Sequence, residues 1–133
     1  MRVLVVEDDA LVRMVTIEAI EEAGFEVTAA EDGVEALAVL EREGAALAAV
    51  LTDVAMPGGV SGIDVARAVR SDWPHLALIL TTGYTPDTVP AGDMPPYFAF
   101  VPKPFSPEDL VQRLKTLLER ATAARSAAAR IAG

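Results

Sequence analysis

Val3-Leu4-Val5-Val6-Glu7-Asp8-Asp9 is a short apolar run that breaks off into three acids. Three later stretches repeat the form. Leu47-Ala48-Ala49-Val50-Leu51 leads through Thr52 to Asp53, Leu76-Ala77-Leu78-Ile79-Leu80 to Thr81, and Phe98-Ala99-Phe100-Val101 through Pro102 to Lys103. Short apolar runs that alternate with helical patterns read as buried strands of a parallel sheet. The carboxyl ends of such strands share one edge, and ligands bind in the crevice outside it. Asp8, Asp53, Thr81 and Lys103 are therefore expected to meet there. Two carboxylates, a hydroxyl and an ammonium suit a divalent metal and a phosphoryl group.

Between these runs the spacing turns helical. Val12, Val15, Thr16, Ala19, Ile20 and Ala23 recur at i, i+3, i+4 and predict a helix from about Ala10 to Ala23, with Asp9 as N-cap and Gly24 as stop. A second strand, Glu26 to Ala30, ends at Glu31-Asp32-Gly33. A second helix, Val34 to Arg42, should bury Ala36, Leu37 and Leu40 and stop at Gly44. Met56-Pro57-Gly58-Gly59 is a loop, and a third helix covers Gly62 to Arg70. Ser106-Pro107-Glu108-Asp109 opens the last helix with a capping serine, a proline at the first helical position and acids at the positive end of the dipole. Its apolar residues are Leu110, Leu114, Leu117 and Leu118. The repeat demands a fourth helix between strands four and five, but Pro86, Pro90, Gly92, Pro95 and Pro96 resist one. Proline inside a helix costs about 3 kcal/mol or more. One or two short, poorly ordered turns are expected over 85–96. A single domain over residues 1–120 precedes an Ala- and Arg-rich stretch, 121–133, that extends the last helix or frays.

Twenty acidic against eleven basic residues give a formal charge of -9. That argues against a nucleic-acid backbone or an anionic membrane surface as direct partner. Much of the excess (Glu18, Glu21, Glu22, Glu35, Glu41 and Glu43) falls on the expected outer faces of two helices and reads as solvated surface. No stretch approaches the roughly 20 apolar residues of a membrane span. The first strand begins at Arg2 or Val3, which leaves no room for a signal peptide. Cys is absent, and with it disulfides, thiolate chemistry and Cys-based zinc sites. A cytoplasmic location is expected.

Glu7, Asp8 and Asp9 would repel one another unless a cation sits among them. Magnesium is usually held by one or two carboxylates, waters and substrate phosphate oxygens. A lone acidic strand end is as often a helix cap with solvated neighbours. A second acid, Asp53, on the adjoining strand shifts the reading to metal. A carboxylate such as Asp53 can attack phosphorus to give an acyl phosphate, given a metal to neutralise charge between attacking and receiving oxygens. Lys103 and Thr81 would hold the equatorial oxygens, and the backbone carbonyl of Ala55 is a further metal ligand. Taken alone, Asp53 would be a turn residue and Lys103 a surface lysine; the four coincident strand ends carry the argument. Pro102 and Pro104 restrict the backbone about Lys103, and a cis Lys103-Pro104 bond is expected. His75, the only histidine, reads as an exposed loop residue rather than a phosphoryl carrier, and Trp73 is expected to cover the sheet edge.

Val5-Val6-Glu7-Asp8-Asp9, Leu51-Thr52-Asp53-Val54-Ala55-Met56-Pro57, Leu80-Thr81-Thr82-Gly83-Tyr84 and Val101-Pro102-Lys103-Pro104-Phe105, in this order, resemble the response-regulator receiver domain over about residues 2 to 120. The resemblance implies a flavodoxin-like, doubly wound α/β fold: a five-stranded parallel sheet of order 2-1-3-4-5 with about five helices, the fourth short or disordered. It implies that Asp53 is the phospho-acceptor and that Asp8 binds Mg2+ directly, Glu7 through water. Thr81 and Lys103 would contact the phosphoryl group, and Phe100 holds the position of the aromatic switch residue. A histidine kinase would be the phosphodonor, and a protein of unknown identity the downstream target. Glu7 stands where Asp is commoner. The Pro57–Gly62 loop is one residue longer than usual, as in many receivers of hybrid kinases. Thr82-Gly83-Tyr84 and Pro96-Tyr97-Phe98-Ala99-Phe100 are similar to a single-domain subgroup with a Phe-Ala-Thr-Gly-Gly/Tyr motif, whose fourth helix is short or mobile.

Met14 and Ile17 lie opposite the core stripe of the first helix and are expected to be exposed, either as a surface for the kinase helices or, as often, as scattered surface apolar residues. A switch acting by protein contact or as a phosphate sink is the leading function, and not an enzyme. A phosphatase with an aspartyl-phosphate intermediate usually needs a second acid two residues after the nucleophile, where this chain has Ala55. A degenerate receiver used for binding alone and a flavin-binding module on the same sheet order are weaker alternatives.

Overall fold

A computed structural model describes residues 1–83 and 91–132 of the chain. Five strands, β1 (Arg2–Val6), β2 (Glu26–Ala30), β3 (Leu47–Asp53), β4 (Ala77–Thr82) and β5 (Phe98–Pro102), form one sheet of order β2-β1-β3-β4-β5. Every pairing is parallel. The four α-helices among the described residues are α1 (Ala10–Glu22), α2 (Gly33–Glu43), α3 (Gly62–Asp72) and α4 (Pro107–Ala132). The flavodoxin-like order is the one expected.

The core has two halves because strand side chains alternate between faces. Leu4, Val6, Val50, Leu78 and Leu80 meet Ala36, Val39 and Leu40 of α2 and Val65, Ala66 and Val69 of α3. The alternate residues Val3, Val5, Ala49, Leu51, Ala77 and Ile79 meet Ile20 of α1 and Leu110, Leu114, Leu117 and Leu118 of α4. Both faces of β3 and β4 are covered, so their runs are apolar without alternation. Within α2, Val39 is buried and Leu37 only half-buried, which turns the expected stripe slightly.

Local signals start and stop the helices where the chain turns toward the sheet edge. Asp9 caps α1 by accepting from the amides of Leu11 and Val12. Gly24 follows that helix at φ 99°, a left-handed conformation that glycine adopts without steric cost. Ser61 and Asp64 form a reciprocal capping box at α3. The Lys103-Pro104 bond is cis.

Two residues singled out in the sequence, Trp73 and His75, lie at the far end of the sheet. Trp73 packs against the α2–α3 half of the core, with its indole against Gly44 just before β3. Its large ring fills the space left at Gly44 by a residue with no side chain. His75 is half-buried rather than exposed, and its Nε2 has no hydrogen-bond partner among the described residues. Among the described residues between β4 and β5, the 3-10 turn Ala91–Asp93 is held to α3 by Arg67, whose guanidinium nitrogens donate to Asp93 at 3.0 and 2.9 Å. Of the 85–96 segment expected to hold short, poorly ordered turns, residues 85–90 lie outside the described residues.

Candidate functional site

The alternation that builds the α1–α4 face also builds the site. Val5, Leu51 and Ile79 are core residues in mutual register, and two residues further along their strands stand Glu7, Asp53 and Thr81. Asp53 is paired with Thr81, and Thr81 with Val101, two residues before Lys103. Parallel strands of similar reach thus deliver four side chains to one edge. Asp53 and Glu7 are each 7% exposed and Thr81 is 4% exposed, while Asp8 is open to solvent.

Lys103 Nζ donates to Asp53 Oδ2 at 2.6 Å. Its own amide donates to the Thr82 carbonyl at 2.9 Å, which fixes the chain just past β5. Glu7, Asp8 and Asp53 each offer a carboxylate oxygen, and these oxygens lie within 4.8 Å of one another. Three carboxylates gathered so closely are a hard-oxygen donor set that fits a divalent cation such as magnesium. Burial lifts the Glu7 carboxyl above its ordinary 4.5; Lys103 and the Asp9 amide pull it down, Asp53 and Asp8 push it up, and the net direction is upward. Burial alone would lower the Lys103 ammonium, but its hydrogen bond to Asp53 and the charges of Asp53, Glu7 and Asp8 outweigh that and hold it above 10.5.

The end of β3 is anchored from behind. The Val54 amide donates to the Thr81 carbonyl at 3.0 Å, and the Gly62 amide to the Val54 carbonyl at 2.8 Å. Any Cβ at Gly62 would strike the Asp53 carbonyl, so only glycine lets α3 begin this close to the acceptor strand. Ala55 sits in the exposed turn just past Asp53. Phe100 is half-buried on β5, paired with Leu80, and its ring meets Phe98 edge to face at 5.5 Å and 83°.

The expected partner surface on α1 is placed differently. Met14 is 58% exposed, as expected, but Ile17 is half-buried and packs into the α1–α4 core. The exposed apolar residues beside Met14 are Leu11 at 65% and Val15 at 43%. The α4 helix, packed beside α1, covers the flank that holds Ile17. Leu11, Val12, Val15, Pro104, Phe105 and Pro107 line a groove of about 560 Å³ that Lys103 also borders. Sequence reasoning also passed over Arg13, whose Nη1 donates to the Glu7 carbonyl at 2.8 Å. Its signal was modest: it is the only basic residue of α1, one turn after the cap.

A model of the response regulator receiver domain matches residues 3–115. The chain is similar to the response regulator receiver protein CpdR of Brucella abortus, 34% identical over 118 residues that make up 88% of this chain and 96% of that one. It is 38% identical over 120 residues to the sensor kinase CckA of the same organism, and there it spans 89% of this chain but only 12% of the kinase. The crystal structure of a response regulator receiver domain protein from Clostridium thermocellum superposes with a TM-score of 0.83 at 26% identity, covering 92% of this chain and 98% of that chain.

Proposed function

The chain belongs to the response regulator receiver domain family, and from that membership we propose that it is a two-component switch that accepts a phosphoryl group from a histidine kinase on Asp53. The observation that carries this reading is the convergence at the sheet edge. Lys103 lies 2.6 Å from Asp53, and Glu7 and Asp8 are gathered beside it.

Glu7, Asp8 and Asp53, with the Ala55 carbonyl, would hold Mg2+, Glu7 through a water. When bound, the ion supplies positive charge between the attacking carboxylate and the phosphoryl oxygens. Asp53 attacks phosphorus in line: an O–P bond forms, the P–N bond to the kinase imidazole breaks, and its electron pair stays on the ring nitrogen. Lys103, already beside the acceptor, follows the charge onto a phosphoryl oxygen. The Thr81 hydroxyl donates to another. That shift draws Thr81 toward the acceptor, and the Phe100 ring turns inward to fill the space. Phosphorylation so biases a two-state element. Moving such an element from 1:99 to 99:1 takes about 5.5 kcal/mol of differential stabilisation.

The reading is a switch and not a turnover enzyme, because Ala55 gives no acid to protonate a leaving group. The site serves contact with proteins in the cytoplasm, the kinase and a downstream target. A charge of -9 disfavours nucleic acid and anionic membranes as direct partners. No helix among the described residues is long and apolar enough to cross a membrane. The kinase helices would dock on Leu11 and Val15 and on exposed Met14 beside them, because the groove that Leu11 and Val15 line shares Lys103 with the acceptor and the phosphohistidine must arrive at that spot. The decisive experiment is phosphorylation of Asp53→Asn with magnesium and a phosphodonor. No label should appear, and labelling at the wild-type level would exclude Asp53 as the acceptor.

A further inference from the structure

The acid loop is held by a group that none of the roles above uses. Arg13 Nη1 donates to the Glu7 carbonyl at 2.8 Å, and Nη2 lies 3.8 Å from a Glu31 carboxylate oxygen. The Arg13 side chain is 18% exposed and that of Glu31 is 71% exposed. The ion pair is therefore screened and weak, whereas the charge-assisted bond to the carbonyl is short and the stronger of the two. The other groups of Glu7 are also committed. Its amide donates to the Ala30 carbonyl at 3.1 Å, and its Oε1 accepts from the Asp9 amide at 3.3 Å. Arg13 thus ties the end of β1 to α1 and to the turn after β2. The charges bearing on the Glu7 carboxyl are those of Lys103, Asp53 and Asp8. Arg13 reaches Glu7 through the main-chain carbonyl, where its bond fixes the backbone that carries the acids.

Resting on the acceptor reading above, we propose that Arg13 is a positioning residue for the acid pair: its bond to the Glu7 carbonyl holds Glu7 and Asp8 where both carboxylates address a cation beside Asp53. Three like charges within 4.8 Å of one another repel in the cation-free protein. A loop tied only by its own amides would relax away from Asp53, and the Arg13 bond opposes that relaxation. Hydrogen-bonding partners one layer behind the ligands of a metal site change its affinity by about 10–100-fold.

The test is magnesium binding by isothermal calorimetry. Arg13→Met keeps the packing stem and removes every donor, and it should bind Mg2+ about 10-fold or more weakly. Arg13→Lys, which restores one donor, should recover most of the affinity, and Glu31→Gln should bind as the wild type does. With acetyl phosphate as donor, Arg13→Met should need more magnesium for half-maximal labelling yet reach nearly the wild-type rate at saturation. A variant that is merely less folded would lose rate at saturation too, and that result overturns the proposal. So would Arg13→Met affinity within about twofold of wild type, or Arg13→Lys as weak as Arg13→Met. Wild-type protein that binds no magnesium would remove the acceptor reading and this inference together. Wild-type binding with an unimpaired Arg13→Met removes this inference alone.

Discussion

A carboxylate that is 7% exposed and faces two others is more easily kept protonated than one in water, and Glu7 is such a group. Its raised pKa makes the folded state bind the proton longer than the unfolded chain does. From the ordinary 4.5 up to that raised value, this group makes stability fall as pH rises, and above it the full cost of the buried charge is present. Lys103 has the opposite sense on the alkaline side. Its contribution is complete below 10.5 and is lost as pH climbs through the raised value. Glu7→Gln, free of magnesium, should therefore unfold at higher denaturant than wild type at pH 7.5, with the gap closing near pH 4. An equal gap at both pH values would mean that the Glu7 charge is not its source. At this scale Asp53, Thr81 and Lys103 were legible because each sits at a fixed offset from an apolar run, whereas the strand-end reading chose Asp8 and it is the buried Glu7 that falls in line with Asp53 and Thr81. Arg13 was not, since it acts on a main-chain carbonyl and no side-chain pattern announces such a bond.

Elements were legible where they begin and end and less so in which flank they bury. Asp9, Gly24 and the Ser106-Pro107 start act through local backbone chemistry, which depends on neighbours in sequence. The buried stripe of α1 depends on what lies across from it. Periodicity gave its spacing, but α4 covers the flank with Ile17 and leaves Val15 outside, so the predicted face was rotated. The corrected surface sharpens the kinase prediction. Leu11→Glu with Met14→Glu should slow phosphotransfer from an autophosphorylated kinase of the host by about tenfold or more, the loss of roughly 1.4 kcal/mol of docking free energy. Labelling by acetyl phosphate should stay near the wild-type rate, because the Leu11 bond to Asp9 is made by the backbone amide, which the substitution keeps. Equal slowing with both donors would place the damage in the site and not in docking.

For the whole molecule, the arrangement of sheet and helices follows from one regularity: successive residues of β1, β3 and β4 serve opposite halves of the core. The same alternation carries Glu7, Asp53 and Thr81 to one edge, so fold and site were legible from the same residues. The connection from β4 to β5 was less legible, because its prolines say what cannot form there without saying what does. A chain of charge -9 that also gathers three acids should respond to cations in two separable ways. Sodium chloride screens charge spread over the surface and stabilises weakly. Magnesium bound at the acid cluster stabilises only the folded state, by about 2.7 kcal/mol at 100 times its Kd. With an unfolding entropy of about 2.1 cal/mol/K per residue, that corresponds to roughly 10 °C in Tm for a chain of this length. Calorimetric scans at equal ionic strength should show that rise with magnesium chloride and a much smaller one with sodium chloride. Asp8→Asn removes one carboxylate without opening the core, because Asp8 is exposed. It should lose most of the magnesium shift and keep the sodium response. If it keeps both, the stabilising ion sits elsewhere on the acidic surface and the cluster is not its site.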